Sequence, residues 1–568
     1  MRLGVDVGGT FTDAVLINGG ALVSAKAPTT PDDQSRGVIE AIDAVLKRAG
    51  AAPAEVTELS HGMTVATNAL LEGRGAETAF VGTEGFEDIV ALGRQDRPHL
   101  YRLCEGRPAP LSRHRFGAPE RMTPEGPLRP LSVAAARRLA GEIAAVQPQS
   151  VAVTLLHAYR HPQHELALRE ALAHALPGVH VSLSHEVAGT FREYERAATT
   201  EVDAALSPLL AGYLGRLARQ CAASGLPRPS IMQSNGGLVD LEAAAGHAAW
   251  TVLSGPAGGA AAAAHLARAS GVPDALCFDM GGTSCDVCVV QDDAVQERGS
   301  GMVAGRPLAL PMVAVHTVGA GGGSIAWRDG GGALRVGPRS AGSDPGPACY
   351  GRGGAEPTVT DANLLLGRLA ADARLAGGPA LALRAARRAI EPLARSLGCS
   401  VARCAEGIVQ VADAEMVRAL RVVTVARGID PRRFALLCFG GAGPLHAISV
   451  ARELGISKVI CPRASGVLAA LGLLVAPRRR DAQRTVMLRG DALSGVAVAQ
   501  HVAQLGDRAR AQLRDADAQL RAVYELRYAG QSFELAVAGP PAPSPDELRS
   551  AFEDLHERRY GYRDPEQE

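Results

Sequence analysis

Two stretches of the chain share the pattern Asp-x-Gly-Gly-Thr-x-x-Asp, at residues 6–13 and 279–286. Each copy follows a short apolar run and leads into another, which predicts a tight turn between two strands. Such a turn offers backbone N–H groups and a hydroxyl to phosphate oxygens. The aspartate before it suits Mg²⁺, which keeps much of its water and takes few carboxylates. The alternative is a pair of plain hairpins, but the repetition favours two turns that grip a polyphosphate from both sides of a cleft.

Glycine-rich segments between and after the two copies support this interpretation. Residues 254–259 lead into an alanine-rich helix at 260–264, which is slender enough to pack closely against another backbone. Residues 439–444 follow an apolar strand and form a turn that suits an adenine or a ribose, and a second small-residue helix follows at 466–474. A Gly-x-Gly-x-x-Ala match at residues 321–326 is weak by itself.

The composition excludes several classes of protein. Of the 568 residues, 47% are hydrophobic and 21% are charged, which argues against long disorder. Lys and Arg together number 59, as do Asp and Glu, so no net positive field would attract nucleic acid. The ten cysteines are scattered, which favours reduced thiols. No signal-peptide core is recognisable, and the longest uncharged run is broken by Pro256, so we expect a cytoplasmic protein with no membrane partner.

Strand and helix signals alternate along most of the chain, which predicts an α/β fold. The alternation runs to about Leu183, a long helical pattern interrupted at Pro208 follows, and the alternation resumes from 231 to 475. Asn18-Gly19-Gly20 predicts a hairpin turn.

The character of the chain changes after three arginines at residues 478–480. A charged helix over 496–521 follows, then a strand pair around Gly530 and a last helix over 545–559. We therefore predict an N-terminal lobe, a main lobe and a small C-terminal α+β extension. Their expected bounds are 1–185, 186–480 and 481–568.

In their order, these motifs resemble those of the actin–Hsp70–sugar-kinase ATPase superfamily: phosphate turn, small-residue helix, second phosphate turn, adenosine turn, second small-residue helix. Residues 276–287 are close to the second phosphate turn of the Hsp70 proteins. The resemblance implies a two-lobed ATPase fold. The glutamate that Hsp70 carries before its alanine-rich helix is not matched at residues 254–256, so hydrolysis by that residue is not implied.

Over nearly its whole length the chain also resembles the A-type, ATP-binding subunit of the hydantoinase/oxoprolinase family. Met63 and Cys285 stand where the family usually has Thr. The chain stops soon after residues 560–562, where many relatives continue, so we expect either a short member or one that lacks part of the last domain. The matching stretches are residues 4–13, 61–72, 93–98, 192–196, 233–237, 319–326, 342–351, 357–363 and 528–531.

The family resemblance implies an ATP-dependent amidohydrolase that opens a cyclic amide or imide, such as 5-oxoproline or a hydantoin. It implies ATP and Mg²⁺ as cofactors, with Mn²⁺ as the alternative metal. We expect the γ-phosphoryl group to pass to the amide oxygen, giving an O-phosphorylated imidate that water opens. The resemblance also implies a separate B-type subunit that completes hydrolysis, and hence a hetero-oligomer.

In that reaction the site would act by positioning and charge neutralisation. Asp6 and Asp279 would hold the metal, and with Thr10 and Thr283 they form the predicted catalytic group. The residues expected to contact the nucleotide or anchor the two turns are Gly8, Gly9, Thr12, Asp13, Gly281, Gly282, Asp286, Gly321, Gly322, Gly440, Gly441 and Gly443.

The ring must reach the γ-phosphate from the side opposite the adenosine turn, so polar residues of the N-terminal half are the candidates to contact it. Arginine's fork suits a carboxylate or an imide oxygen. For His61 a satisfied core histidine is an equal alternative, and for the two arginines a surface salt bridge is. The candidates are His61, Thr64, Asn68, Arg94 and Arg97.

Two rival functions stay open. The first is the ATP-binding subunit of an acetone- or acetophenone-type ketone carboxylase, in which ATP activates a ketone or bicarbonate. The second is a non-catalytic ATPase switch. A switch would need a peptide-binding or cluster-binding module, and the sequence shows neither a β-sandwich extension nor a convincing cysteine cluster.

Overall fold

The computed structural model describes residues 1–9, 11–30, 33–96, 101, 106–373 and 380–568. The elements of the first part of the chain are β1 (Arg2–Val7), β2 (Phe11–Asn18), β3 (Ala21–Pro28), α1 (Gln34–Ala49), β4 (Glu58–Gly62), α2 (Val65–Leu71), β5 (Thr78–Thr83), α3 (Ile89–Leu92), β6 (Ser112–Ala118), β7 (Arg121–Thr123), β8 (Gly126–Arg129), α4 (Val133–Ala145), β9 (Ser150–Thr154), α5 (Gln163–Ala175) and β10 (His180–Leu183).

The central part holds α6 (Ser184–Val187), α7 (Glu193–Ala223), β11 (Ser230–Met232), β12 (Leu238–Val239), α8 (Leu241–Gly246), α9 (Ser254–Ala269), β13 (Ala275–Met280), β14 (Cys285–Gln291), β15 (Ala294–Val295), β16 (Glu297–Arg298), β17 (Gly301–Val303), β18 (Arg306–Leu308), β19 (Met312–Val313), β20 (His316–Val318), β21 (Ser324–Arg328), β22 (Leu334–Ser340) and α10 (Val359–Leu365).

The last part holds α11 (Leu383–Ser396), α12 (Val401–Val423), β23 (Ala435–Phe439), α13 (Gly443–Leu454), β24 (Val459–Ile460), α14 (Leu468–Val475), α15 (Gly495–Leu513), β25 (Ala522–Leu526), β26 (Leu535–Gly539) and α16 (Pro545–Tyr560). No helix in these described ranges is both long enough and apolar enough to cross a bilayer.

Two sheets repeat one topology, and each is built around a copy of the repeated motif. The first has the order β12-β11-β4-β1-β2-β3, and the second has the order β15-β14-β13-β23-β24 with β20 added on β14. In the first sheet β1 pairs antiparallel with β2 and parallel with β4. In the second, β13 pairs antiparallel with β14 and parallel with β23. The sequence repeat is therefore also a repeat of architecture, as the α/β prediction with two lobes requires.

Helices α9 and α14 pack against each other beside the first sheet, with their backbones in direct contact. A Cβ atom on Gly472 would lie 1.8 Å from the carbonyl oxygen of Gly258. A Cβ on Gly4 of β1 would lie 2.4 Å from the carbonyl oxygen of Ala470. Only glycine permits such approach. The two small-residue helices predicted at 260–264 and 466–474 are thus confirmed as slender packing elements.

A third, parallel sheet with the order β10-β9-β5-β6 forms a side module covered by α4 and α5. All five residues of β9 are buried, as is usual for a parallel strand covered on both faces. The fully buried Arg196 of α7 ties this module down, because its guanidinium donates to the carbonyl oxygens of Leu155 and Thr190 at 2.8 and 2.6 Å.

Two element predictions need correction. Pro208 does not interrupt the long helix, since α7 runs unbroken through it; the buried neighbours Leu206 and Leu210 hold the helix against the first sheet's core. The charged helix predicted over 496–521 stops at Leu513, because Arg514 takes a left-handed conformation with φ of 57°. The strand pair around Gly530 and the last helix are present as predicted.

The first sheet takes strands from both sides of residue 185, since β11 and β12 lie beyond it. The division at residues 185 and 480 stays a prediction.

Candidate functional site

The two repeated turns have the same hydrogen bonding and the same register. The N–H of Gly8 donates to the carbonyl oxygen of Phe11 at 3.0 Å, and the N–H of Gly281 donates to that of Ser284 at the same distance. Asp6 lies opposite Asp13 across the first hairpin, and Asp279 lies opposite Asp286 across the second. The hairpin alternative and the phosphate-turn prediction therefore describe the same backbone. Its duplication is the feature that a single hairpin would not explain.

The tips of both turns are open to solvent. Gly9, Gly282 and Thr283 are exposed, and no atom lies within 4 Å of the position that a Cβ on Gly9 would take. Their backbone can therefore approach a ligand closely. Thr10, predicted as the hydroxyl of the first turn, lies outside the described residues.

Asp6 stands near the end of β1, where neighbouring backbone packs closely against its carboxylate. A Cβ on Gly62 would lie 2.6 Å from Asp6 Oδ1, and α9 begins next to it, with Gly255 at 3.8 Å by the same measure. Oδ1 of Asp6 is buried and has no hydrogen-bond partner among the described residues. Burial, and then the charge of Asp13, raises the pKa of Asp6 to about 7.

The second motif places Asp279 in an equivalent environment. Burial raises the pKa of Asp279 well above its ordinary value, and the charges of Asp286, Asp6 and Asp13 raise it further. Both carboxylates lie beside the start of α9, since a Cβ on Gly255 would lie 3.8 Å from Asp6 Oδ1 and a Cβ on Gly259 would lie 3.4 Å from Asp279 Oδ2. Two like charges placed there raise each other's energy. A cation placed there would relieve the repulsion.

The donor set suits Mg²⁺ in particular. The described residues contain no group of three or more His, Cys, Asp or Glu side chains arranged as a metal cage. Mg²⁺ is commonly bound by one or two carboxylates, water and substrate phosphates rather than by such a cage. The unpartnered oxygen of Asp6 and the raised pKa of Asp279 are the observations that fit it.

Lys26 is a site residue that the sequence analysis missed. Its Nζ forms an ion pair with Asp13 and donates to the carbonyl oxygen of Gly466 at 2.6 Å. Lys26 thus fixes Asp13 behind the first turn and ties the hairpin to the segment that leads into α14. In the second copy a hydroxyl takes the place of the ammonium, because Thr317 donates to Asp286. Burial there raises the pKa of Asp286 to about 6.

The loop with the Gly-x-Gly-x-x-Ala match, residues 321–326, packs against the backbone of the second turn. The N–H groups of Gly322 and Gly323 donate to the carbonyl oxygens of Gly281 and Gly282 at 3.0 and 2.6 Å. A Cβ on Gly321 would lie 2.5 Å from the backbone of Thr283. This geometry favours a supporting role for Gly321 and Gly322 over the predicted direct contact with the nucleotide.

The predicted adenosine turn, residues 439–444, packs against Asp279. A Cβ on Gly440, which has φ of +81°, would lie 2.3 Å from Asp279 Oδ1. Gly441 faces open space, and Gly443 is the first residue of α13. The turn therefore stands beside the second phosphate turn, with Gly441 free to meet a ligand.

Thr12 points away from the turns. Its side chain is fully buried, and its hydroxyl lies 3.4 Å from that of Thr29, on the face covered by α1. Strand alternation explains the difference from the prediction, because neighbours in β2 face opposite sides. Thr12 supports the hairpin from behind.

Of the two interpretations of His61, the geometry favours the core histidine. Both ring nitrogens are engaged: Nδ1 lies 3.0 Å from the carbonyl oxygen of Val5, and Nε2 lies 2.8 Å from the hydroxyl of Tyr213. Burial lowers the pKa of His61 to about 4. The ring is therefore neutral at neutral pH, donating from Nδ1 to Val5 and accepting from Tyr213.

The remaining substrate candidates are less confined. Thr64 precedes α2 at the edge where β4 ends, and Asn68 Nδ2 lies 3.3 Å from its hydroxyl. Both are half-buried, next to the strand end that meets Asp6. Arg94 makes two bonds to Glu195, at 2.9 and 2.6 Å, so its fork is already engaged in a salt bridge. Arg97 lies outside the described residues.

The fold and the paired turns together define an ATPase of the actin-like type. The chain belongs to the hydantoinase/oxoprolinase family: residues 2–176 match its N-terminal region, and residues 196–482 match the hydantoinase/oxoprolinase domain itself.

Three relatives are similar over most of this chain. Caprolactamase subunit alpha of Pseudomonas jessenii is 36% identical, covering 99% of this chain and 84% of that protein. 5-Oxoprolinase 1 of Arabidopsis thaliana is 32% identical, covering 99% and 49% respectively. Acetophenone carboxylase gamma subunit of Aromatoleum aromaticum is 32% identical, covering 93% and 76%. The crystal structure of the ATP-dependent caprolactamase from Pseudomonas jessenii superposes with a TM-score of 0.84 at 34% identity, covering 100% of this chain and 86% of that one.

Proposed function

We propose that this chain is the ATP-binding subunit of an ATP-dependent cyclic amide hydrolase. The observation that carries the proposal is the pair of turns with the same hydrogen bonding and register, whose aspartates Asp6 and Asp279 both lie beside the first turns of α9. The similarity to caprolactamase subunit alpha and to 5-oxoprolinase supports a lactam, such as 5-oxoproline, or a related ring such as a hydantoin as the acceptor.

ATP is needed because an unactivated cyclic amide reacts slowly with water at neutral pH. In the proposed reaction the amide oxygen attacks the γ-phosphorus and ADP leaves, giving an O-phosphorylated imidate. Water then adds to the imidate carbon, and the ring C–N bond breaks as the nitrogen takes up a proton, which leaves an acyl phosphate. A second water attacks the acyl carbon, and phosphate leaves with the former amide oxygen. The products are the ring-opened amino acid, ADP and phosphate.

This chain's part is to hold the polyphosphate. Backbone N–H groups at the exposed tips, Gly9 and Gly282, and the hydroxyl of Thr283 would donate to phosphate oxygens. Asp6 and Asp279 would hold Mg²⁺, which supplies charge neutralisation when bound. Lys26 keeps Asp13 behind the first turn, and Thr317 keeps Asp286 behind the second.

We further propose that a B-type subunit completes the hydrolysis and that the working enzyme is a hetero-oligomer. The name of the caprolactamase relative, a subunit alpha, supports this division of labour. The similarity to acetophenone carboxylase gamma subunit keeps ketone carboxylation as the second candidate function.

The test combines the purified chain with the B-type subunit from the same organism, ATP and Mg²⁺. A panel of 5-oxoproline, hydantoin and ε-caprolactam is offered as substrate, and acetone with labelled bicarbonate is offered in parallel. We expect ADP and ring-opened acid to form in equal amounts for at least one ring, and no labelled carboxylate. Ring opening without ATP contradicts the proposal, and label incorporation with ADP formation establishes the carboxylase instead.

A further inference from the structure

Six of the described cysteines lie in three neighbouring pairs, and one pair differs from the other two. The pairs are Cys277–Cys288, Cys399–Cys404 and Cys438–Cys461. Among the cysteines that the structure describes, Cys461 alone is exposed, Cys399 is half-buried, and the other four members of the pairs are buried. Cys461 is therefore the thiol that a reagent in solution meets first.

The register of β23 and β24 brings Cys438 and Cys461 together. Leu437 lies beside Ile460 in this parallel pair, so Cys438 and Cys461 occupy the next positions along the two segments. Sγ of Cys438 turns toward β24, because it donates to the carbonyl oxygen of Ile460 at 3.4 Å. Paired strands lie about 4.8 Å apart, which falls within the Cα separation of about 4.4–6.8 Å that a disulfide spans. The backbone spacing therefore permits a disulfide between two residues that are both free thiols here.

The two thiols differ in reactivity. Cys438 is fully buried, and burial, followed by the charge of Cys461 and the hydrogen bond between the two side chains, raises the pKa of Cys438. The thiolate is the attacking form in thiol–disulfide exchange, so Cys438 does not react first. Its position and burial make Cys438 the thiol that reacts second, inside the protein.

The segment 461–466, which begins at the exposed cysteine, contacts both sides of the candidate nucleotide site. The carbonyl oxygen of Ser465 accepts from the N–H of Gly440, in the predicted adenosine turn, at 2.9 Å. The carbonyl oxygen of Gly466 accepts from Lys26 Nζ, in the first hairpin, at 2.6 Å. A covalent change at the start of this segment can therefore reach the adenosine turn through a single hydrogen bond.

We propose that Cys461 is a modification site for small disulfides, of which oxidised glutathione is the example, and that Cys438 is its resolving cysteine. The Cys461 thiolate attacks one sulfur of oxidised glutathione, and one glutathione thiolate leaves. Cys438 then loses its proton to water, its sulfur attacks Sγ of Cys461, and the second glutathione thiolate leaves. The protein gains one disulfide, and the reagent is reduced to two thiols.

Closure of this disulfide should disturb the adenosine turn. Two bonded sulfurs lie closer together than two thiols in contact, so one of the two segments must move. All five residues of β23 are buried, and the strand is paired on both sides, with β13 and β24. Residues 461–465 are exposed or half-buried, so this segment is the freer one, and its movement draws Ser465 away from Gly440. The functional consequence rests on the proposed function: the oxidised form should bind Mg·ATP at least about fivefold more weakly.

Mass spectrometry tests the modification directly. The full chain is reduced, freed of reductant and incubated with oxidised glutathione, and the remaining thiols are blocked with N-ethylmaleimide before digestion. Trypsin places the two cysteines on separate peptides, residues 434–452 and 459–463, so their disulfide appears as one linked mass. We expect this linked peptide to be the main oxidised product, and dithiothreitol to abolish it. Unmodified Cys461, or a main product that joins other cysteines, would overturn the proposal.

Three variants assign the roles of the two thiols. Cys438→Ser, whose hydroxyl can keep the bond to Ile460, should accumulate glutathione on Cys461 as a stable mixed disulfide. Cys461→Ser, at the exposed position, should take up no glutathione at Cys438. Cys399→Ser, in the half-buried pair, is the matched control and should form the same linked peptide as the parent. A parent that keeps the mixed disulfide on Cys461 would contradict the resolving role of Cys438.

Calorimetric titration of Mg·ATP then compares the reduced, the oxidised and the re-reduced parent. We expect the loss of affinity in the oxidised form only, and no loss in Cys461→Ser after the same treatment. Equal affinity of the reduced and the oxidised parent would overturn the coupling to the adenosine turn. A reduced parent that binds no Mg·ATP would contradict the proposed function instead, while the linked peptide would still establish the modification site.

Discussion

The backbone of Gly472 lies so close to Gly258 that a methyl group on Gly472 would stand 1.8 Å from the carbonyl oxygen of Gly258. This contact joins α14 to α9, the helix that begins next to Asp6. The packing of two small-residue helices therefore sets the position of the first phosphate turn relative to the adenosine half of the chain.

Gly472→Ala should accordingly destabilise the protein, by about 3 kcal/mol, because backbone atoms rather than a flexible side chain must move. Chemical unfolding measures the change in free energy. The control is Gly212→Ala on the exposed face of α7, where the nearest atom is the end of the Arg216 side chain at 3.7 Å. Equal stability of both variants would mean that the helices separate at little cost.

The pKa of Asp6 predicts a pH dependence of stability with a definite sign. Its folded value, about 7, lies above its value of 3.8 in the unfolded chain, so the folded state binds the proton more tightly. The associated stability is present below about pH 4 and is lost as pH rises through about 7. Asp6→Asn, which cannot ionise, should be more stable than the parent by about 2 kcal/mol or more at about pH 8, and the gain should shrink towards about pH 5.

Thermal unfolding of both proteins at the two pH values, without added divalent cation, checks the sign. If Asp6→Asn is less stable than the parent at the higher pH, ionisation of Asp6 does not destabilise the folded protein.

Lys26 should matter more than any surface lysine. Lys26→Met leaves Asp13 without its ion pair and removes the bond to Gly466, so we expect a loss of about 2–3 kcal/mol together with weaker nucleotide binding. Lys47→Met in α1 is the matched control, because Lys47 is exposed and makes no ion pair among the described residues. An equal loss of stability in both variants would mean that Lys26 contributes no more than an exposed lysine does.

Arg97 remains the predicted contact for the ring's carboxylate or imide oxygen. Arg97→Ala should raise KM for the ring substrate, or abolish substrate-stimulated ATP cleavage, while ATP affinity stays near that of the parent. Arg94→Ala is an instructive partner variant, because its guanidinium is already engaged with Glu195. Steady-state kinetics with ATP and ring varied separately distinguishes the cases. A lower ATP affinity of Arg97→Ala would place that residue at the nucleotide.

The repeated motif was sufficient to predict a tight turn between two strands at each copy, because local turn chemistry determines such a hairpin. The two-lobed fold was implied by the resemblance of the motif order to a known superfamily. The position of Lys26 beside Asp13 could also be predicted from the sequence. The Asn18-Gly19-Gly20 turn sets Asn18 opposite Ala21, and counting back along that hairpin sets Asp13 opposite Lys26. The register of this hairpin alone therefore predicts that Lys26 and Asp13 are cross-strand neighbours.

Other features depend on tertiary packing that no local pattern records. The alternation of β2 turns Thr12 away from the ligand side, and the hydrogen bonds of His61 to Val5 and Tyr213 join residues distant in sequence.

Calorimetric titration of Mg·ATP tests the central claim most directly, with the parent, Asp279→Asn and the control Asp43→Asn, whose side chain is exposed on α1. Binding between two turns with a metal held by Asp6 and Asp279 predicts that the parent and Asp43→Asn bind with the same affinity in Mg²⁺. It predicts that Asp279→Asn loses at least about tenfold, and that its remaining affinity no longer responds to Mg²⁺ as the parent's does. Equal affinity and equal Mg²⁺ dependence of all three proteins would contradict the account.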